Sequence, residues 1–183
     1  MTTNTNELAT TYSPADADSK WYKQWESGTY YKSKAGKANK SFCIIVPPPN
    51  VTGKLHAGHA LDITTQDSLI RFKRMKGYET LFLPGLDHAG ISTQSVVEKM
   101  VFEQEKKTRR DFSREEFVKK IWAWKEEYGN HILDQQRAMG ASCDWDYLTF
   151  TLDPIPNQAV KKFFVDMYNK KMIYQSDYIV NWD

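Results

Sequence analysis

The chain has 183 residues, a length that fits one domain or one domain with a small extension. Hydrophobic residues make up 40% of it and charged residues 26%, which excludes a collagenous, low-complexity or wholly disordered chain. The formal net charge of +2 is too small to indicate a nucleic-acid or membrane partner by itself. The longest apolar run, residues 42–46, is far shorter than the roughly 20 residues of a membrane-spanning helix.

The N-terminus and the two cysteines bear on the cellular compartment. Residues 1–11 carry neither a basic start nor an apolar run, so we expect a frayed leader in a cytoplasmic protein, not a secretory signal. Cys43 and Cys143 are far apart and belong to no C-x-x-C pair, which argues against a disulfide scaffold and a zinc ribbon. We expect both thiols to be buried.

The first predicted element is a short helix. A Ser-Pro pair at residues 13–14 indicates its start, and Gly28 indicates its end. Trp21 and Trp25 are four residues apart, so they share a helix face that we expect to pack against the body of the protein. A polar loop over residues 32–40 follows.

A strand, a helix and a second strand come next. The apolar run 41–46 does not alternate, which predicts a strand buried on both faces, and three prolines end it. A helical pattern then places four apolar or small residues near one face and stops at Gly77, and a second apolar strand spans 78–83. This order predicts a βαβ unit with a parallel sheet and a right-handed crossover. The four helical residues are Leu61, Thr65, Leu69 and Phe72.

Three more helices are predicted, and then a short strand pair over residues 173–183. A capping box of Ser113 and Glu116 opens the long middle helix, which stops at Gly140. The basic residues among positions 71–76 are interpreted as solvated surface charge. The three helices are expected at about 92–105, 114–139 and 156–171.

The loops that follow the two predicted strands hold three of the chain's four histidines, His56, His59 and His88. Ligands of an open parallel sheet bind outside the carboxyl ends of its strands, so we expect both loops to face one crevice. The H-x-G-H run matches neither the P-loop nor the Rossmann dinucleotide pattern. At a helix start, however, free backbone N–H groups and the helix dipole favour an anion such as phosphate.

Spacing alone leaves alternatives open. The H-x-G-H histidines fit nucleotide binding, a metal pair with Asp62 or His88 as a third ligand, or a helix turn without a ligand. Asp87 fits a turn that caps the next helix as well as an acceptor for a ligand ammonium group. Asn50 fits a plain turn after the prolines.

The segments around these loops resemble one protein family. Residues 47–61, P-P-P-N-V-T-G-K-L-H-A-G-H-A-L, resemble the H-I-G-H region of class I aminoacyl-tRNA synthetases, with Ala57 in the second place of the signature. They are most similar to the valine-specific branch of that family. Residues 84–90, 124–129 and 140–145 resemble the same branch.

The resemblance runs from about residue 12 to 182 and implies an α/β fold, the first half of a Rossmann-type parallel-sheet catalytic domain. It implies that residues 1–40 form the leader and short helix, and that residues 41–183 form the N-terminal half of the catalytic domain and end before the editing insertion. Because no K-M-S-K-S motif occurs, we expect an N-terminal part of a longer enzyme, inactive or very weak alone. The alternative is a noncatalytic nucleotide-binding or interaction fragment that retains the fold.

The resemblance also implies a reaction, in which L-valine is activated with ATP and transferred to tRNA(Val). ATP with Mg²⁺ is then a substrate, and neither a protein-bound metal nor a membrane partner is expected. The implied catalytic residues are His56 and His59, the implied ATP-binding residues are Thr52, His56, Gly58 and His59, and the implied valine-binding residues are Pro48, Asn50 and Asp87.

Two positions depart from the family pattern. Leu86 replaces the Thr that is usual before this Asp, which puts a hydrogen bond under Asp87 in doubt. Asp183 stands where Cys or Ser is common, and no implied contact involves it.

Overall fold

The computed structural model describes residues 10–11, 13–34 and 40–182. Most of the predicted leader, most of the predicted 32–40 loop and Asp183 lie outside the described residues. Within these ranges no helix is both long and apolar enough to cross a membrane. The elements are α1 (Pro14–Ser27), β1 (Ser41–Ile45), α2 (Ala57–Met75), β2 (Glu79–Leu83), β3 (Gly85–Leu86), α3 (Ile91–Glu105), α4 (Arg114–Ala138), β4 (Thr149–Phe150) and α5 (Pro154–Asn169).

All the predicted helices are present, and their ends follow local signals. Ser113 caps α4 as predicted, because its Oγ accepts a hydrogen bond from Glu116 N at 3.2 Å while the Glu116 carboxylate accepts one from Ser113 N at 2.9 Å. Gly28 ends α1, as predicted. The start of α5 is Pro154, two residues before the predicted start, since a proline is favourable in the first turn of a helix.

The sheet is parallel, as predicted. β1 pairs with β2 from Ser41 opposite Glu79 to Ile45 opposite Leu83. Beyond Pro84 the chain continues as β3, which pairs in parallel with β4. Three segments of the chain therefore run side by side in the same direction, and their carboxyl ends reach one edge.

β1 is buried on one face only, so the prediction of a strand buried on both faces is wrong. Phe42 and Ile44 pack against the core that includes Ile63 and Ile70 of α2, whereas Ile45 on the other face is 67% exposed. Side chains alternate between the faces of a strand, and a continuous apolar run does not tell which face a neighbour covers.

The same arrangement separates the two cysteines. Cys43 lies on the open face of β1 and is exposed, so the prediction that it is buried is wrong. Cys143 is buried as predicted, and its burial raises the pKa of the thiol to about 12.

The face of α2 that packs on the core carries Ile63, Asp67 and Ile70. The face predicted from the sequence lies outside the core. Its four residues are all exposed, namely Leu61, Thr65, Leu69 and Phe72. The buried carboxylate of Asp67 accepts hydrogen bonds from the backbone N of Ser142 at 2.9 Å and from Arg71 Nε at 2.6 Å.

Two arginines of α2 are structural, so their interpretation as solvated surface charge is wrong. Arg71 donates to the carbonyl oxygen of Gly140 and pairs with Asp67. Arg74 donates to the hydroxyls of Thr80 and Ser142, each at 3.1 Å. A buried carboxylate needs charged or polar partners, and Arg71 is one of them for Asp67. Through Gly140 and Ser142, both arginines fasten α2 to the segment after α4.

The predicted strand pair over residues 173–183 is wrong for its described part. Residues 173–182 have no regular secondary structure, and the two described sheets contain no strand from them. Aromatic and β-branched residues favour a strand only where a neighbouring edge accepts its hydrogen bonds.

Candidate active site

A short backbone pairing joins the loops after β1 and β3. Asp87 N donates to Pro49 O at 2.9 Å, and Val51 N donates to Asp87 O at 3.0 Å, so Asn50 and Asp87 lie opposite each other in a parallel bridge. The two loops therefore meet at the carboxyl edge of the sheet, as we expected. The side chain of Asp87 is 33% exposed there, and Asn50 is exposed.

The H-x-G-H segment forms the first turn of α2, with His56 as the N-cap. His56 Nδ1 accepts a hydrogen bond from Gly58 N at 3.1 Å, and His59 Nδ1 accepts one from His56 N at 3.3 Å. An imidazole nitrogen that accepts carries no proton, so this network assigns the proton of each neutral ring to Nε2. Burial, followed by the neighbouring His56, lowers the pKa of His59 and favours its neutral form.

This turn is suited to an anion. The positive end of the α2 dipole and two imidazole N–H donors meet at one helix start. Gly58 is needed for the arrangement, because a Cβ atom at that position would lie 2.9 Å from Cε1 of the His56 ring.

Helix α4 holds the loop that leads into this turn. Trp124 Nε1 donates to Val51 O at 2.8 Å, and Leu55 N donates to the side-chain oxygen of Gln135 at 2.8 Å. Neither side chain was predicted from the sequence to have this role. One signal in the sequence could have indicated these contacts: both side chains carry polar atoms at positions on the face of α4 that packs against the rest of the protein.

Thr151 is a third residue for which no role was predicted from the sequence. Its hydroxyl lies 3.1 Å from Asp87 Oδ1, an oxygen that also accepts from Ala89 N at 3.3 Å. The other carboxylate oxygen of Asp87 has no hydrogen-bonding partner among residues 10–11, 13–34 and 40–182. Leu86, whose lack of a hydroxyl put a hydrogen bond to Asp87 in doubt, is buried, and Thr151 supplies a hydroxyl to this carboxylate instead.

His88 belongs to the Asp87 side of the site. Its Nδ1 is 2.6 Å from Thr151 Oγ1 and 3.3 Å from Asp87 Oδ1. Within the described part of the chain, no group of three or more His, Cys, Asp or Glu residues is placed to hold a metal ion. The structure therefore gives no support to a metal site with His88 or Asp62 as third ligand.

The other two implied site residues flank this edge. Pro48 is exposed and lies over Gly85, since a Cβ atom at Gly85 would be 3.4 Å from Pro48 Cβ. Thr52 is half-buried in the loop between the bridge and the H-x-G-H turn. The residues predicted to bind ATP and valine thus lie along one edge of the sheet. His56, Gly58 and His59 are at the start of α2, and Pro48, Asn50, Thr52 and Asp87 are at or next to the bridge.

Comparison with known proteins identifies the family. The family model described as tRNA synthetases class I (I, L, M and V) matches residues 20–183. The chain belongs to the class I tRNA synthetase family. The resemblance seen in the sequence is thereby confirmed.

Individual relatives of this synthetase chain are valine–tRNA ligases. The chain is 52% identical over 176 residues to valine–tRNA ligase of Bdellovibrio bacteriovorus, covering 96% of this chain and 20% of the relative. It is 49% identical over 183 residues to that of Halalkalibacterium halodurans, covering 100% of this chain and 21% of the relative. The chain thus spans about a fifth of the length of these curated relatives.

A solved structure confirms the class I synthetase fold. The LeuRS of Agrobacterium radiobacter K84, in a ternary complex with tRNA and LeuAMS, matches with a TM-score of 0.75. The two chains are 22% identical, and the match covers 91% of this chain and 20% of LeuRS. With the parallel sheet, this confirms the predicted α/β fold of part of a catalytic domain, while the predicted boundary at residue 40 stays a prediction.

Proposed function

We propose that this chain forms the ATP- and valine-binding part of a valine–tRNA ligase. In the proposed reaction a carboxylate oxygen of valine attacks the α-phosphorus of ATP, which forms valyl-adenylate and releases pyrophosphate. A terminal hydroxyl of tRNA(Val) then attacks the carbonyl carbon and releases AMP. The observation that supports the proposal is the Asn50–Asp87 bridge, which joins the loop that leads into the start of α2 to the loop that carries Asp87.

The nucleotide side of the site is the first turn of α2. His56 and His59 each present an Nε2–H donor, and they would stabilise negative charge as it develops on the phosphate oxygens. Donors fixed before the reaction are effective because they need no reorganisation in the transition state. We assign Thr52 and Gly58 to the same nucleotide site, and Mg²⁺ would enter with the ATP phosphates.

The valine side of the site is the bridge. The oxygen of Asp87 that has no partner among the described residues would accept the α-ammonium group of valine, with Asn50 beside it. Pro48 would form part of the wall against the valine side chain. Such a wall distinguishes valine from an amino acid with one more methylene by roughly 1–3 kcal/mol.

The test is amino-acid-dependent exchange of labelled pyrophosphate into ATP by the protein at its natural full length. We expect exchange with valine and a kcat/KM for isoleucine that is lower by about tenfold or more. Exchange that depends on another amino acid, or on none, would contradict the proposal. We propose a cytoplasmic location for this activity, although one relative, from Arabidopsis thaliana, is a mitochondrial valine–tRNA ligase.

A further inference from the structure

The hydroxyl of Thr151 joins two groups of the candidate active site. Its Oγ1 is 3.1 Å from Asp87 Oδ1 and 2.6 Å from His88 Nδ1, and it accepts a hydrogen bond from His88 N at 3.0 Å. A hydroxyl has one proton, so it donates to one partner at a time. All three contacts are satisfied together when His88 Nδ1 carries a proton and donates to Thr151, while Thr151 donates to Asp87.

The sheet fixes the position of this hydroxyl. Leu86 of β3 pairs with Phe150 of β4, and Thr151 N then donates to Leu86 O at 3.1 Å. Thr151 is therefore held one step beyond β4, alongside Asp87. Since Asn50 faces Asp87 from the other neighbouring segment, the carboxylate lies between two residues that main-chain hydrogen bonds hold in place.

We propose that Thr151 is a positioning residue that aims the Asp87 carboxylate at the ammonium group of the substrate and holds His88 in its Nδ1-protonated form. The inference rests on the proposed function and deepens it. Thr151 and Ala89 N occupy Asp87 Oδ1, so Oδ2 is the oxygen left to accept from the ammonium group. With Nδ1 protonated, a neutral His88 keeps the lone pair of Nε2 as an acceptor.

Loss of the hydroxyl has a specific consequence. The Asp87 carboxylate loses its shortest hydrogen bond among the described residues, and the amide of His88 loses its acceptor. Among these residues, the carboxylate is then held only by Ala89 N and by the His88 ring, each at 3.3 Å, so it can turn away from the ammonium group. Binding of valine is weakened, whereas the first turn of α2, which contacts ATP in the proposed function, keeps all its hydrogen bonds.

The test compares Thr151→Val with Thr151→Ser in the natural full-length protein, by valine-dependent pyrophosphate exchange. The valine side chain has nearly the shape of threonine without the hydroxyl. We expect the Thr151→Val variant to raise the KM for the substrate valine about tenfold, while the KM for ATP stays unchanged. Serine keeps the hydroxyl and should restore the KM for valine to within about threefold of the parent value. Should Thr151→Val lose the fold, Thr151→Ala removes the same hydroxyl and carries the same expectation.

Thr149→Val is the matched control, because the Thr149 hydroxyl donates to Tyr147 O at 3.0 Å and contacts neither Asp87 nor His88. It should leave both KM values unchanged.

A double-mutant cycle shows whether Thr151 acts through Asp87. In an Asp87→Asn background, Thr151→Val should cause no further rise in the KM for valine. Three results would overturn the inference: full additivity of the two substitutions in the KM for valine, an equal rise in the KM values for valine and ATP in Thr151→Val, or a Thr151→Ser variant that does not restore the KM for valine. An active parent protein with an unaffected Thr151→Val variant would overturn this inference alone, whereas a parent without valine-dependent exchange would overturn the proposed function.

Discussion

The imidazole rings of His56 and His59 lie with their centroids 4.0 Å apart at the start of α2. Each ring uses Nδ1 to accept a backbone N–H of the same turn, so each has its Nε2–H available for a ligand. The two side chains thus serve as the helix cap and, in the proposed function, as donors to phosphate. This double use makes the helix start sensitive to protonation, because a protonated Nδ1 no longer accepts.

The pH dependence of stability should reveal the cap. The pKa of His59 in the folded chain is lowered from 6.5 by burial, so protonation favours the unfolded state. The contribution of His59 is therefore complete above pH 6.5 and is lost as the pH falls through the folded pKa. We expect His59→Gln, which keeps an acceptor but does not titrate, to weaken the fall in melting temperature between about pH 7.5 and pH 5.5.

His131→Gln is the control for this experiment, since His131 is exposed on α4. An identical pH dependence for the parent protein and His59→Gln would contradict the assigned role of the ring.

Gly58→Ala should slow the formation of valyl-adenylate with little change in melting temperature, because the higher helix propensity of alanine offsets the lost cap hydrogen bond. The new Cβ would lie 2.9 Å from the His56 ring, so the ring must move and its hydrogen bond from Gly58 N is lost. Misplacing one such donor costs on the order of a hundredfold in rate. Gly53→Ala is the matched control, because its Cβ would have no atom within 4 Å. Equal rates for the two variants would show that the His56 ring is not positioned for the reaction.

Asp87→Asn should weaken the binding of valine and leave the binding of ATP nearly unaffected, as measured by equilibrium binding of each ligand. Loss of the carboxylate that faces a desolvated ammonium group costs on the order of 2–5 kcal/mol of binding free energy. Asparagine keeps the size of the side chain and its acceptor for Thr151, so the backbone bridge to Asn50 should persist. Equal losses of valine and ATP affinity would instead indicate that Asp87 only shapes the turn.

Two adjacent glutamines of α4 should respond in opposite directions when each is replaced by methionine. The Gln136 side chain is 1% exposed, and its oxygen and nitrogen have no hydrogen-bonding partner in the described part of the chain. Gln136→Met should raise the free energy of unfolding by about 1–2 kcal/mol, because a buried amide without a partner is costly. Gln135→Met should lower it by about 1 kcal/mol, because Leu55 N loses its acceptor.

Chemical denaturation measures both changes. A loss of stability in Gln136→Met comparable to that in Gln135→Met would contradict this assignment.

Local signals made most of the helices predictable. The reciprocal hydrogen bonds of Ser113 and Glu116 form within four residues, so the sequence was sufficient to predict the start of α4. The turn at His56 and His59 was predictable for the same reason. Burial was less predictable: the apolar run of β1 does not show that Cys43 and Ile45 face away from the described helices.

The contacts of the candidate site that the sequence did not predict join distant parts of the chain. Thr151 lies 64 residues from Asp87 along the chain, and the two meet only because β4 pairs with β3. Trp124 reaches Val51 across 73 residues. Neither pair follows from periodicity or from a motif, because the register of one strand on another sets which side chains meet.

The most direct test of the account is the single-turnover rate of valyl-adenylate formation at saturating valine and ATP, measured on the natural full-length protein. The His56→Ala/His59→Ala variant removes both proposed phosphate donors. The matched control is His131→Ala, which removes an exposed histidine of α4. We expect the double variant to be at least about a hundredfold slower than the parent, and the control to match the parent. A rate for the double variant within about threefold of the parent would contradict the assignment of the α2 helix start to catalysis.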